Sequence, residues 1–185
     1  SCPYPVDGVV VSHDQVYPIQ KGNPPHAFAF KLLLTDQLAE IIVTSIAWNI
    51  SKDGYFKPII SFEPVRIGGS EIRNVNGQNA NFICKNNIGI GARLLISKSG
   101  DVIPYIEKVV QPATICSCPS LPHRWNDSKM EYMTEDKNLI QRARCTYFMN
   151  NFKVDGLGTR FVDLFYEHGI DSIDKFLNLK KETIT

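Results

Sequence analysis

Long apolar runs are missing from this 185-residue sequence. None approaches the roughly 20 residues that a membrane span needs, and no basic segment followed by an apolar stretch marks a secretion signal. A surplus of either charge is missing too: 20 Lys and Arg stand against 19 Asp and Glu, a net charge of +1. That balance argues neither for nor against nucleic acid, because a local basic patch can sit inside a neutral total. Cysteine is sparse: Cys2, Cys84, Cys116, Cys118 and Cys145, with only Cys116 and Cys118 close in sequence. An odd count without a secretion signal points to reduced thiols in an intracellular compartment rather than to a disulfide framework. An initiating Met is also lacking, and the opening "SCPYP" reads as a fragment or a processed product. What is present, 43% hydrophobic and 21% charged residues, suffices for one large domain or two to three small ones.

Residues 1–37 read as a strand, a Pro/Gly-rich loop and a second strand, from "VDGVVV", "KGNPPH" and "AFAFKLLL". Two strands cannot stand alone, so this piece ends something larger or packs on the segment after it. Residues 38–112 carry five strand-like runs, with room for a short helix in "GQNANFICKNNIGIG" between the third and fourth. Three strands, a helix and two strands is the order of an OB-fold, a small barrel that often binds nucleic acid; an unrelated small barrel is the alternative. Residues 113–145 are rich in Pro, Ser and Cys. Cys116, Cys118, His123 and Cys145 could supply four zinc ligands, but C-x-C is tighter than the usual C-x-x-C and no pair closes the far side. The cysteines read more readily as structural than as a zinc site. Residues 146–185 read as helical, with Gly169 ending one helix and Asp171 capping the next. The predicted class is α+β and multi-domain: a two-strand piece, a five-stranded OB barrel, a small Cys-containing module, then a helix–hairpin–helix.

Within "NNFKVDGLGTRF", Lys153 to Gly156 fits K-x-D-G, the signature of lysines that accept a nucleotidyl group. Such a lysine needs carboxylates and further cations placed around an α-phosphate. Only amphipathic helix comes after it here, so the covalent reading fails. The glycine reading does better. Gly156 and Gly158 can take backbone angles closed to other residues, letting N–H groups at the next helix start meet a phosphate. A plain helix corner without ligand is the bland alternative.

These pieces together resemble the C-terminal half of an NAD-dependent DNA ligase. "YPVDGVVV" and "PPHAFAFKLLL" are similar to the family's last two adenylation-domain motifs, D-G-V-V-[IV]-K and A-[YF]-K-F. "FEPVRIGGSEIRN" and "SGDVIPYIEKV" are similar to its OB segments, and "FKVDGLGTRFVDLFYEHGIDSIDKFLNL" to its first helix–hairpin–helix. The resemblance implies domains at 1–37 (end of the adenylation domain), 38–112 (OB-fold), 113–145 (degenerate zinc-finger-like module) and 146–185 (helix–hairpin–helix). It implies nick sealing in replication and repair by three phosphoryl transfers, with NAD and magnesium as cofactors. A lysine takes AMP from NAD, AMP passes to the nick 5′-phosphate, and the 3′-hydroxyl displaces it. Asp7 and Gly8 are implied beside the adenylate, and Lys31 against its phosphate, where a fixed cation offsets developing charge. Asp7 and Lys31 are thereby the catalytic candidates, and Arg73, Asp101, Gly156 and Gly158 the DNA-binding ones. Partners are nicked duplex DNA and the N-terminal adenylation part of the ligase, in the same or a separate chain. The implied setting is the cytoplasm of a bacterium or of a virus-infected cell, with no membrane involved.

The departures from the pattern are local. Ser12 stands where the motif lysine contacts nucleotide, "RNVNGQN" lacks the family histidine, and the four zinc cysteines are thinned to Cys116, Cys118 and Cys145. A degenerate zinc module of this kind resembles viral or phage members. The nucleophilic lysine is expected before Ser1, so the chain alone is not expected to seal nicks. A non-catalytic DNA-binding module derived from a ligase is the competing function.

Overall fold

In the computed structural model the described residues are 8–19, 21–30, 37–98, 103–152 and 159–179. The alternating run from Leu38 folds as β3 (Leu38–Ile50) and is the spine of the barrel. Its first part, Leu38 to Ile42, pairs with β6 (Arg93–Ser97), and its second part, Val43 to Ile50, with β4 (Phe56–Ile67). The switch falls at a register shift between Val43 and Ser45, a bulge that bends the strand so that one chain serves both halves of the sheet.

β4 turns into β5 (Ser70–Asn76) through Gly68 and Gly69, both at positive φ (53° and 77°), the backbone of a tight hairpin with matching twist. Pairing between β4 and β5 skips from Ser61 to Val65. Pro64 lies in that gap and has no N–H to give to a ladder. After α1 (Ala80–Lys85) come β6 and β7 (Tyr105–Gln111), giving the order β5-β4-β3-β6-β7, with β5 and β7 meeting to close the barrel. The order of strands and helix is the one the sequence predicts for an OB-fold. α1 begins at Asn79, whose side chain accepts from the Phe82 N–H at 2.8 Å, and drives Ile83 into the barrel end. Ile41, Val43, Ile60, Phe62, Ile67, Leu94, Ile96 and Ile106 fill the interior.

The two expected strands near the start are β1 (Val9–Ser12) and β2 (Ala27–Phe30), antiparallel, with Val9 opposite Phe30 and Ser12 opposite Ala27. Both leave their apolar side chains exposed: Val10 is 69% and Phe28 62% accessible. The segment after the barrel forms a small ladder, β8 (Arg124–Trp125) with β9 (Tyr132–Met133). It is stitched to the barrel by Ala113 N–H to Asn87 O, Ser117 N–H to Ile88 O and Thr134 N–H to Gly54 O, all 2.8–2.9 Å.

Three helices complete the described chain: α2 (Lys137–Phe152), α3 (Thr159–Glu167) and α4 (Ile173–Leu177). α2 starts earlier than the apolar pattern indicates, because "NLIQRAR" consists mostly of good helix formers while showing little apolar periodicity. Cys145, Met149 and Val162 are buried between α2 and α3. Gly169 (φ 76°) ends α3 as expected, with Ile170 N–H reaching back to Phe165 O at 2.8 Å. The next cap is a correction. Ser172, not Asp171, caps α4, accepting from Lys175 N–H, while Asp171 pairs with the Lys175 ammonium at 2.8 Å. That contact holds the Asp171 carboxyl below the usual range. Among the described residues no helix is long and apolar enough to cross a membrane.

Candidate nucleic-acid interface and the cysteine cluster

The hairpin of β4 and β5 carries a charged outer face. Glu71 lies opposite Arg66 and two residues before Arg73, so alternation puts all three on the same side. Arg73 Nη2 meets Glu71 Oε1 at 2.7 Å, with its side chain 68% exposed. An ion pair so exposed is weak and easily exchanged for a phosphate. Lys98 reaches Ser70 Oγ at 2.6 Å on the same hairpin. Of the hairpin's cations, only Arg73 pairs with Glu71, while Arg66 shares its face without an ion pair among the described residues.

The other sequence candidates divide sharply. Asp7, Lys31, Asp101, Gly156 and Gly158 lie outside the described residues. Gly8 precedes β1 and is exposed. Ser12 ends β1 beside an open groove of about 520 Å³ lined by His13, Tyr17, His26 and Phe28. His13 Nδ1 lies 2.6 Å from the Tyr17 hydroxyl, and the Tyr17 ring stacks on His26 at 3.8 Å. Sequence reasoning singled out Ser12 and missed these rings, which flank it through the loop and the β2 start.

A second groove, about 740 Å³, runs between the turn after β3 and α2 and is lined by Trp48, Lys52, Arg142, Thr146, Tyr147 and Asn150 among others. Lys52 sits 5.5 Å from the Tyr147 ring centre, and Arg144 Nε donates to Lys52 O at 3.1 Å. No local motif signals this groove. It exists because the helices dock on the barrel's hairpin.

The cysteines are the other correction. The expected companions Cys116, Cys118 and Cys145 are not brought together. Cys145 lies among the helices, its thiol directed at Asp171 O at 3.9 Å, and burial pushes its pKa up. Cys116 instead neighbours Cys84, at the far end of α1, and Cys118, and the Tyr132 hydroxyl approaches Cys84 and Cys118. His123 turns Nδ1 to Leu121 O at 2.8 Å and lays its ring against Tyr132. No group of three or more Cys, His, Asp or Glu among the described residues is arranged to hold a metal ion. Zinc needs about four ligands in tetrahedral array, with its cysteines deprotonated. The donors present do not fit it.

Burial, with Cys84 and Cys118 adjacent, pushes the Cys116 thiol up from 9.0 to about 11. This fixes the sign of the pH dependence. Above pH 9.0 the unfolded thiol loses its proton while the folded one keeps it to about 11, so rising pH favours unfolding. We expect the stability contributed by this cluster to be whole below pH 9.0 and lost toward 11. Urea midpoints across that window check this, and a Cys116→Ser variant should lose part of the slope.

A five-stranded closed barrel of this order, with a helix between its third and fourth strands, is an OB-fold, a class that often takes oligonucleotides across its face. Residues 40–115 match the family model of the NAD-dependent DNA ligase OB-fold domain. The chain thus carries the OB-fold domain of the NAD-dependent DNA ligase family. Over 183 residues and 97% of its length it is 32% identical to a DNA ligase of Acanthamoeba polyphaga mimivirus, covering 28% of that protein. It is 30% identical to a DNA ligase of Natranaerobius thermophilus, over 97% of this chain and 30% of the relative. A DNA ligase of Desulfatibacillum aliphaticivorans is 28% identical over 97% of this chain and 30% of its own length. The chain spans less than a third of the relatives it matches.

Proposed function

We propose that this chain is a portion of an NAD-dependent DNA ligase that grips nicked duplex DNA and completes the adenylate site. One observation carries the reading: the likeness to ligases runs through 97% of the chain, across the β1–β2 hairpin, the barrel, the cysteine segment and the helices in one order. A free-standing DNA-binding barrel has no need of that hairpin.

In this reading the lysine that accepts AMP belongs to the rest of the ligase. NAD supplies the adenylyl group, and magnesium offsets phosphate charge. Lys31 sets a cation beside the adenylate phosphate, with Asp7 and Gly8 contributing to the same nucleotide site. Arg73, Gly156 and Gly158 hold the DNA backbone, contacts that fix position without reading sequence, and Asp101 faces the nick. Ser12 leaves one cation of the family pattern unfilled.

The test is nick sealing with NAD after mixing this chain with an N-terminal ligase part that carries the nucleophilic lysine. Sealing by the pair and by neither alone is the expected result. Binding of nicked duplex without sealing by any such pair would sink the enzymatic reading and leave a DNA-binding module.

A further inference from the structure

Something other than a metal must hold residues 113–136 against the barrel, since β8 and β9 are two residues each and too short to hold themselves. Tyr132 stands at the centre of that junction and is only 7% exposed. Its ring meets Trp48 of β3 at 5.7 Å, His123 at 4.4 Å and Trp125 of β8 at 4.2 Å between ring centres. Phe56, fully buried at the start of β4, packs in the same cluster and touches the His123 ring edge-on at 6.2 Å. The Tyr132 hydroxyl lies 3.2 Å from Cys84 Sγ and 3.9 Å from Cys118 Sγ. Trp48 also donates from Nε1 to Ser117 Oγ at 3.0 Å, tying the same wall to the cysteine loop. One side chain thus touches the barrel's spine, its helix, the cysteine loop and the terminal ladder.

We propose that Tyr132 fastens this segment to the barrel in place of a zinc ion, its ring filling the space between the two tryptophans and its hydroxyl engaging the thiols. Aromatic pairs at these separations favour tilted and edge-on arrangements, which is how the rings are set here. The thiols are partners of the phenol rather than ligands. Cys84, on an OB-fold helix, takes the place near Cys116 and Cys118 that the sequence pattern assigns to Cys145.

The test uses the full chain purified without chelator. Zinc is measured by elemental mass spectrometry and by mercurial release, and thermal unfolding is followed with and without EDTA. The expected result is no stoichiometric zinc and an unfolding temperature that EDTA leaves alone. Tyr132→Ala should lower that temperature by about 10 °C. If Tyr132→Ala fails to fold, Tyr132→Phe decides, since it keeps the ring and removes the hydroxyl. It should fold, stay indifferent to EDTA, and raise the rate at which iodoacetamide alkylates Cys84 and Cys118 several-fold. One zinc per chain whose removal lowers the unfolding temperature would overturn the proposal. So would an unchanged unfolding temperature in Tyr132→Ala, or unchanged alkylation in Tyr132→Phe.

Discussion

Raising monovalent salt from about 50 to about 200 mM should weaken binding of this chain to nicked duplex roughly a hundredfold. The figure assumes about four phosphates neutralised, each adding close to 0.9 to the slope of log affinity against log salt. The cations for this are on the described surface. Arg66, Lys85 and Lys108 have no ion-pair partner among the described residues. Arg73 and Lys98 have only exposed or neutral partners to give up. Fluorescence anisotropy at several salt concentrations reads the slope directly. Arg73→Ala should lower it by about one and weaken binding several-fold. Glu71→Ala should tighten binding instead, because it removes the carboxylate that competes with DNA for Arg73. A flat salt response, or a Glu71→Ala variant that binds less well, would count against this face of the barrel.

The second large effect concerns a glycine. A Cβ built on Gly89 would lie 2.1 Å from Ile115 O and 3.2 Å from Ala113 Cβ. The obstacle is backbone, not a side-chain tip that can swing away. Flanking it are the hydrogen bonds from Ala113 N–H to Asn87 O and from Ser117 N–H to Ile88 O. Gly89→Ala must push the post-barrel segment outward and stretch both, so we expect a loss of about 2–4 kcal/mol in urea unfolding. Gly69→Ala is the control. Nothing lies within 4 Å of its Cβ, and only its positive φ of 77° is penalised, at about 1 kcal/mol. Equal losses for the two variants would show that the close approach at Gly89 relaxes freely.

The barrel was legible because its signals are local. Five strand-like runs, with room for a short helix after the third, stand in the residues themselves. The bulge at Val43–Ser45 was not legible, since β-branched and small residues run through it without punctuation. The cysteine grouping was hidden for another reason. Sequence proximity joined Cys116 to Cys118 correctly, but the third thiol comes from α1, and only barrel closure brings Cys84 there. Tyr132 carried no motif at all. Its weight comes from four elements that meet around it. At α4 the sequence pattern puts the cap at Asp171, one residue early; Ser172 is the residue whose hydroxyl accepts from the N–H three residues on, at Lys175.

Because β3 is one strand with two sets of partners, it ties the two halves of the sheet together through one backbone. Its 13 residues have a contour of about 40 Å. At one end the turn after Ile50 carries Lys52, whose carbonyl is held by Arg144 of α2. At the other end Leu38 is paired to Ser97 of β6. A load applied to the helices is therefore borne by the same covalent backbone that anchors the far rim of the barrel. The bulge at Val43–Ser45 marks where the strand's partner changes from one half of the sheet to the other.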